Sequence, residues 1–533
     1  MSSKTFAAFR HGRRPTTLLA ASCMAVVACG STLQAKSWKF TGVSKQLEAE
    51  FVGMKNGWVV LQDTSGKSFE FAFENFAPAD QQYLRALETG GKPPAAANEP
   101  GKPNLSRQDY AMKSVETLAD QVTTLTGNTE FHVTGKGDPI PGSSFFFTSP
   151  DAWLFLDKVA PSVVESKFLD RMRINGAKAN ASTNVRVVQY GAGTVVIPQE
   201  PDYTAMTLFD GKSLTGSSIP LKCYVDYNGA RLGKLKGPAA SFVLKRGYTA
   251  TIAQKENGTG VSKNYVAQDH DVVVNEIPAG LSEGVRFVRI FPWRWTSKKG
   301  IAGGIWQKLD VGWFYDWNIG ANSSPDLEYV AIRQKRDWPG MDQDWKKKGI
   351  NHLLGFNEPD HKDQANLTVD EAIAGWPVLM GSGLRLGAPA VSDGGLGWLY
   401  QFMDKADASG LRVDYVPVHY YRAVSDPKNA KGAADQFYQF LKGIHDRVKR
   451  PLWITEWNNG ANWTSAPDPN EAQQKEAVEK MIEMLDDTPF VERYALYNWV
   501  EDSRQLVRKD GSLTPAGVVY RDKVSPVAFT QPK

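Results

Sequence analysis

Two glutamates in similar settings are the residues of this chain best suited to do chemistry: Glu358 within Gly355-Phe-Asn-Glu-Pro-Asp360 and Glu456 within Trp453-Ile-Thr-Glu-Trp-Asn458. Each closes a short apolar run, His352-Leu-Leu-Gly-Phe356 or Leu452-Trp-Ile-Thr-Glu456, that reads as a buried strand. Two more such runs end in polar and aromatic residues, one at His419-Tyr420-Tyr421 and one at Asn498-Trp499. Carboxylates at the ends of two nonadjacent strands, facing across one mouth, are what cleavage of a glycosidic bond requires. One must hold a proton, which calls for a raised pKa, and the other must stay ionised to attack. Asp360, His361 and Asp363 lie close together, but their spacing fits no standard zinc set, so no metal is expected. No phosphate-binding glycine loop or nucleophile elbow occurs, which removes nucleotide enzymes and serine hydrolases and leaves no cofactor to expect.

The elements that must position these groups begin near Asp310. Apolar strands Val311–Tyr315, Tyr329–Ile332, His352–Phe356, Leu386–Ala390, Tyr415–His419, Leu452–Glu456 and Arg493–Tyr497 alternate with helical patterns, and an eighth is expected near Leu506. That alternation marks a parallel sheet with crossover helices, and residues 310–525 are read as a (β/α)8 TIM-type barrel. The span is short for such a barrel, so some helices should be short or missing. In a barrel the C-terminal strand ends share one mouth, which brings Glu358, Glu456, His419 and Tyr421 together. Trp313, Trp317, Trp338, Trp457 and Trp499 fall at strand ends or in the loops after them, where an indole face can stack on a pyranose ring.

The segments GFNEPD, VHYY at 418–421 and WITEWN resemble the alkali-sensitive-linkage-protein-like hydrolases of glycoside hydrolase family 128, in clan A, over roughly residues 310–520. The resemblance implies a retaining endo-1,3-β-glucanase with Glu358 as general acid/base and Glu456 as nucleophile. It also implies that Asn357 binds the sugar 2-hydroxyl and that His419 and Tyr421 line the cleft and hold the nucleophile ionised. The alternative from another class is a noncatalytic glycan-binding surface protein built on the same barrel.

The other segments frame this domain. The 533 residues exceed one core and imply a modular chain. A net charge of +4 from 62 basic and 58 acidic side chains is too balanced to argue for nucleic acid, and a neutral polysaccharide fits better. Arg10, Arg13 and Arg14 precede an apolar run, so residues 1–35 read as an export signal. Two processing routes fit: cleavage after Ala35, or lipidation of Cys29 as in bacterial lipoproteins. The product would be periplasmic, secreted or lipid-anchored at the cell surface. Residues 37–86 resemble the Sla-homology SH3-like domain, and 88–107 are a linker by composition. Residues 108–200 open with a helical pattern through Ala119 and turn β-rich, while 203–295 hold two similar strand-turn-return pieces like the paired Greek keys of βγ-crystallin-like domains. Cys223 has no partner outside the signal segment, so no intramolecular disulfide is expected.

Overall fold

The computed structural model describes residues 36–40, 43–55, 58–63, 65–76, 80–81, 84, 104–105 and 110–531, save 234 and 282. The expected signal segment, with Cys29, lies outside them. The chain divides into two compact units, residues 1–97 and 98–533. In the first, Lys36–Phe40, Val43–Lys55, Trp58–Gln62 and Ser68–Ala72 pair in sequence as an antiparallel meander. Trp38 is buried there, and its indole N–H donates to the Ala49 carbonyl at 2.8 Å.

The second unit opens with strands that alternate between two parallel stacks. Ala111–Val115, Thr129–Lys136 and Ala152–Lys158 form one stack, and Val122–Leu125, Ser144–Phe147 and Met172–Ile174 form the other. The helix expected through Ala119 is absent: Ala111–Val115 is a strand in register with Thr129–Val133, so the parallel ladder overrides local propensity. Residues 203–292 form two antiparallel sheets around one apolar core. Each of the two similar sequence pieces is a hairpin, Thr204–Phe209 with Ser218–Lys222 in one sheet and Tyr248–Ala253 with Ser262–Ala267 in the other. Asn104–Leu105, inside the expected linker, pairs with Val272 and Val273 as an edge strand of the first sheet.

The remaining strands are all parallel. They are β1 (Lys299–Ala302), β2 (Trp313–Tyr315), β3 (Glu328–Tyr329 and Ala331–Ile332), β4 (His352–Leu354), β5 (Arg385–Leu386), β6 (Val416–Tyr420), β7 (Leu452–Trp457) and β8 (Val491–Leu496). Each pairs with the next, β5 and β6 through the Gly387–Tyr415 bridge, and β8 returns to pair with β1. The eighth strand is therefore not near Leu506: it is β1, which starts before the expected boundary at Asp310. The crossings from β1 to β2 and from β2 to β3 carry no α-helix, and that from β3 to β4 has only the single turn α1 (Trp345–Lys348). Longer helices follow: α2 (Val369–Met380), α3 (Leu396–Ala408), α4 (Ala430–Val448), α5 (Glu471–Asp487) and α6 (Pro515–Asp522). Thr368 caps α2 and Asn470 caps α5, each in a reciprocal capping box that satisfies the first free amides.

Strand alternation sorts the side chains. Phe314, Leu353, Val418 and Ile454 pack outward with the helices, whereas Trp313, Tyr315, Leu354, Tyr415 and Trp453 fill the interior of the ring. Gly300 is required beside Trp313, because any β-carbon there would overlap the indole. Below the mouth, Glu328 is fully buried and accepts from Thr296 at 2.6 Å while pairing with Arg493 at 2.8 Å and His352 at 3.0 Å. Burial alone would raise its carboxyl, but Arg493 and His352 hold it far below the ordinary range. Two successive lysines finish the frame. The ammonium of Lys298 donates to the carbonyls of Leu485, Asp486 and Thr488 at the end of α5, and Lys299 to those of Tyr520, Arg521 and Lys523 at the end of α6. Lys298 thus serves the frame, as does Arg294, whose guanidinium donates to the Ser324 carbonyl at 2.6 Å.

Candidate active site

Glu456 is the penultimate residue of β7, and the ladder around it is irregular. Val418 pairs with Ile454, but the next pair is His419 with Glu456, so Thr455 is skipped. A one-residue slip reverses the facing of everything beyond it. Glu456 accordingly joins the interior with Tyr315 and His419, while Trp457 turns outward and packs fully buried against Phe437, Tyr494 and Tyr520.

Three neutral donors hold the Glu456 carboxylate. The Tyr315 hydroxyl donates to Oε1 at 2.9 Å, the Trp317 indole N–H to Oε1 at 2.8 Å, and the Tyr421 hydroxyl to Oε2 at 2.6 Å. Burial and the adjacent Glu456 charge keep both tyrosine hydroxyls protonated well above their ordinary range, so they remain donors. Hydrogen bonds to an ionised acceptor are the stronger kind, and three of them fix the orientation of the nucleophile candidate.

Glu358 follows β4 in a loop held by backbone hydrogen bonds from Asn357 to Gln334, from Glu358 to Ala390 and from His361 back to Glu358. Its φ is +40°, and that of Trp317 is +56°, left-handed values that cost a side chain of this size about 1–3 kcal/mol unless the surroundings impose them. Both strained residues touch the same small cluster. Between the two carboxylates stands His419, wholly buried, with Nδ1 2.7 Å from Glu358 Oε1 and Nε2 3.5 Å from Glu456 Oε1. One donor atom from each of the three groups lies within 4.8 Å of the other two. Burial works against a charged imidazole, but the Glu456 and Glu358 carboxylates outweigh it and push its pKa up to about 9. Burial likewise pushes the Glu358 carboxyl up, but the hydrogen bond and charge of His419 hold it below its ordinary value. The sequence expectation of a raised pKa on one carboxyl is thus replaced by a proton kept on His419, one short hydrogen bond from Glu358.

The other expected site residues divide. Asn357 is buried beside Glu358, donates to Gln364 at 3.3 Å and has no hydrogen-bond partner on its side-chain oxygen. Trp499 is exposed, lies edge-on to Trp317 and covers Gly303, where any β-carbon would overlap its ring. Trp338 is exposed in the loop after β3. Trp313 and Trp457 have no exposed face to offer a sugar, so both readings as stacking platforms fall: the first fills the ring interior and the second is turned outward by the β7 irregularity. Sequence reasoning missed Tyr315 and also Tyr497, whose ring packs edge-on against both Trp317 and Tyr421. Tyr315 was open to inference, since it lies two residues after Trp313 on β2, shares its inward facing and closes the strand at the mouth.

Residues 293–520 match the family model described as glycosyl hydrolase catalytic core. This part of the chain is a glycosyl hydrolase catalytic core. The chain is 25% identical to the alkali-sensitive linkage protein 1 of Schizosaccharomyces pombe over 226 residues, 39% of this chain and 40% of that protein. It is thus similar to less than half of that curated relative. It is also 35% identical to a GH128 subgroup I endo-β-1,3-glucanase from Amycolatopsis mediterranei, solved with laminaritriose, covering 42% of this chain and 98% of that one with a TM-score of 0.38. A GH128 subgroup II endo-β-1,3-glucanase from Sorangium cellulosum is 28% identical over 42% of this chain and 98% of its own, with a TM-score of 0.35.

Proposed function

We propose that the protein is an exported, retaining GH128 endo-β-1,3-glucanase, and that its ring of eight parallel strands is a TIM-type barrel with the site at the C-terminal strand ends. The observation that carries the reading is the Glu358–His419–Glu456 constellation. Its close carboxylates suit the separation of about 5–5.5 Å that a retaining mechanism uses. The 35% identity to a β-1,3-glucanase over nearly all of that protein supports the linkage.

In this reading His419 passes its Nδ1 proton to Glu358, which gives it to the departing glycosidic oxygen as Glu456 Oε attacks the anomeric carbon. The ester formed on Glu456 cancels its charge. Glu358, now a carboxylate, takes a proton from water, and the resulting hydroxide attacks the anomeric carbon and frees Glu456. Asn357 would meet the sugar 2-hydroxyl. The N-terminal meander and the hairpin sandwich are read as SH3-like and βγ-crystallin-like accessory modules. Among the described residues no helix is long and apolar enough to cross a membrane; the export reading rests on residues 1–35 of the sequence.

The test is reducing-end release from β-1,3-, β-1,4- and mixed-linkage glucans by the mature protein, beside Glu358→Gln and Glu456→Gln. Release from β-1,3-glucan that both variants abolish is expected. Full activity in Glu456→Gln would refute the mechanism, and glycan binding without release would favour the noncatalytic alternative.

A further inference from the structure

Four tryptophans in residues 98–533 are exposed, and their placement is not scattered. Trp306 follows β1, Trp338 follows β3, Trp463 follows β7 and Trp499 follows β8, so among the described residues of this unit every exposed indole lies beyond a C-terminal strand end. Trp463 is the most exposed of them at 58%, yet its loop is firmly held. Gly460 supplies the left-handed turn at φ +80°. The wholly buried Arg504 donates to the Asn459 carbonyl at 2.7 Å and to Asp468 at 2.7 Å, gripping the loop from both ends. Within it, the Thr464 hydroxyl donates to the Ala461 carbonyl at 2.7 Å. A large apolar ring kept in water on a fixed loop is unfavourable in the free protein and becomes favourable when a ligand face covers it.

The ring's neighbour ties it to the candidate active site. Trp463 meets Tyr421 in a T-shaped contact at 5.0 Å, and Tyr421 is the residue whose hydroxyl donates to Glu456 Oε2. On the opposite carboxylate oxygen, Trp317 carries the second exposed indole, Trp499, edge-on at 5.7 Å. Tyr497 joins the two groups, 5.7 Å from Tyr421 and 5.4 Å from Trp499, so each exposed indole is one ring away from a donor to the nucleophile candidate within one aromatic cluster.

We propose that Trp463 is a preformed stacking platform for a pyranose ring of the glucan next to the one that Glu456 engages, selecting chains over short substrates. This rests on the functional reading above. The test is calorimetric binding of laminarihexaose to the full-length Glu456→Gln protein, alone and combined with Trp463→Ala or Trp463→Tyr, together with steady-state kinetics of the single Trp463 variants. Trp463→Ala should weaken binding about tenfold and raise KM in step with little change in kcat, while Trp463→Tyr, which keeps a ring, stays close to the parent. Equal binding by Trp463→Ala overturns the platform alone. A fall in kcat at constant KM also overturns it, because Trp463 would then only prop Tyr421. No binding by Glu456→Gln itself overturns the glucanase reading and the platform with it.

Discussion

Removing the charge of Glu456 should be felt first not by a substrate but by His419. The imidazole is wholly buried, which by itself would push its pKa below the ordinary 6.5, yet two carboxylates bring it to about 9. The rise from 6.5 to about 9 amounts to about 3 kcal/mol in favour of the imidazolium. Glu456 Oε1 stands 3.5 Å from Nε2, a distance at which unit charges attract by about 4–5 kcal/mol at an effective dielectric of about 20. Glu456→Gln keeps the shape and deletes that attraction, so the His419 pKa should drop by at least about one unit. Nitrogen-detected NMR of the imidazole across pH 5–10 reads this with no ligand present. The stability consequence has a defined sign. A raised folded pKa on His419 contributes stability that is complete below the unfolded value of about 6.5 and is lost as pH rises through about 9. A lowered folded pKa on Glu358 contributes stability that is present above its ordinary 4.5 and is lost as pH falls through the folded value. The native protein should therefore be most stable between these limits, with the alkaline loss reduced in Glu456→Gln. A wild-type His419 that titrates at or below 6.5 would refute the shared-proton account and return the acid proton to Glu358 itself.

Two further substitutions separate packing from binding. Gly303→Ala places a methyl group where the Trp499 ring lies and forces a side chain into φ +84°, so Trp499 must swing away. The expected result is a several-fold rise in KM for polymeric glucan with a changed tryptophan fluorescence spectrum; an unchanged KM would remove Trp499 from the binding surface. Trp457→Ala, by contrast, opens a cavity in the core and should cost about 3–5 kcal/mol of stability, read by denaturant unfolding. A large KM effect at unchanged stability would contradict its buried placement.

How much of this was legible in the sequence depends on the range of the interactions involved. Glu358 and Glu456 stood out because each sits at the end of an apolar run, and both the run and its end are local features. Strands β2 to β8 were legible for the same reason. Lys299–Ala302 was not, because Lys-Gly-Ile-Ala has little apolar signal of its own. Its burial is made possible from elsewhere: the Lys299 ammonium is satisfied by three carbonyls at the end of α6, more than 200 residues on in the chain. The parallel stacks of residues 111–174 were hidden likewise, since their backbone partners lie a whole winding away and no local pattern names them.

The misplacement of Trp457 shows the same limit at atomic scale. Simple alternation along Leu452–Trp457 puts Trp453, Thr455 and Trp457 on one face and Glu456 on the other. With Trp453 in the ring interior, unbroken alternation would send Glu456 outward among the helices and leave the site without its second carboxylate. The skipped pairing at Thr455 is what turns Glu456 inward, and the same half-turn that brings it to Tyr315, Trp317 and Tyr421 carries Trp457 into the core. The two outcomes cannot be separated: a Glu456 that faces His419 requires a Trp457 that does not face a sugar. The irregularity is one extra residue in β7 relative to both β6 and β8, and nothing in Leu452–Trp457 alone announces it, so it is invisible until the three strands are placed side by side.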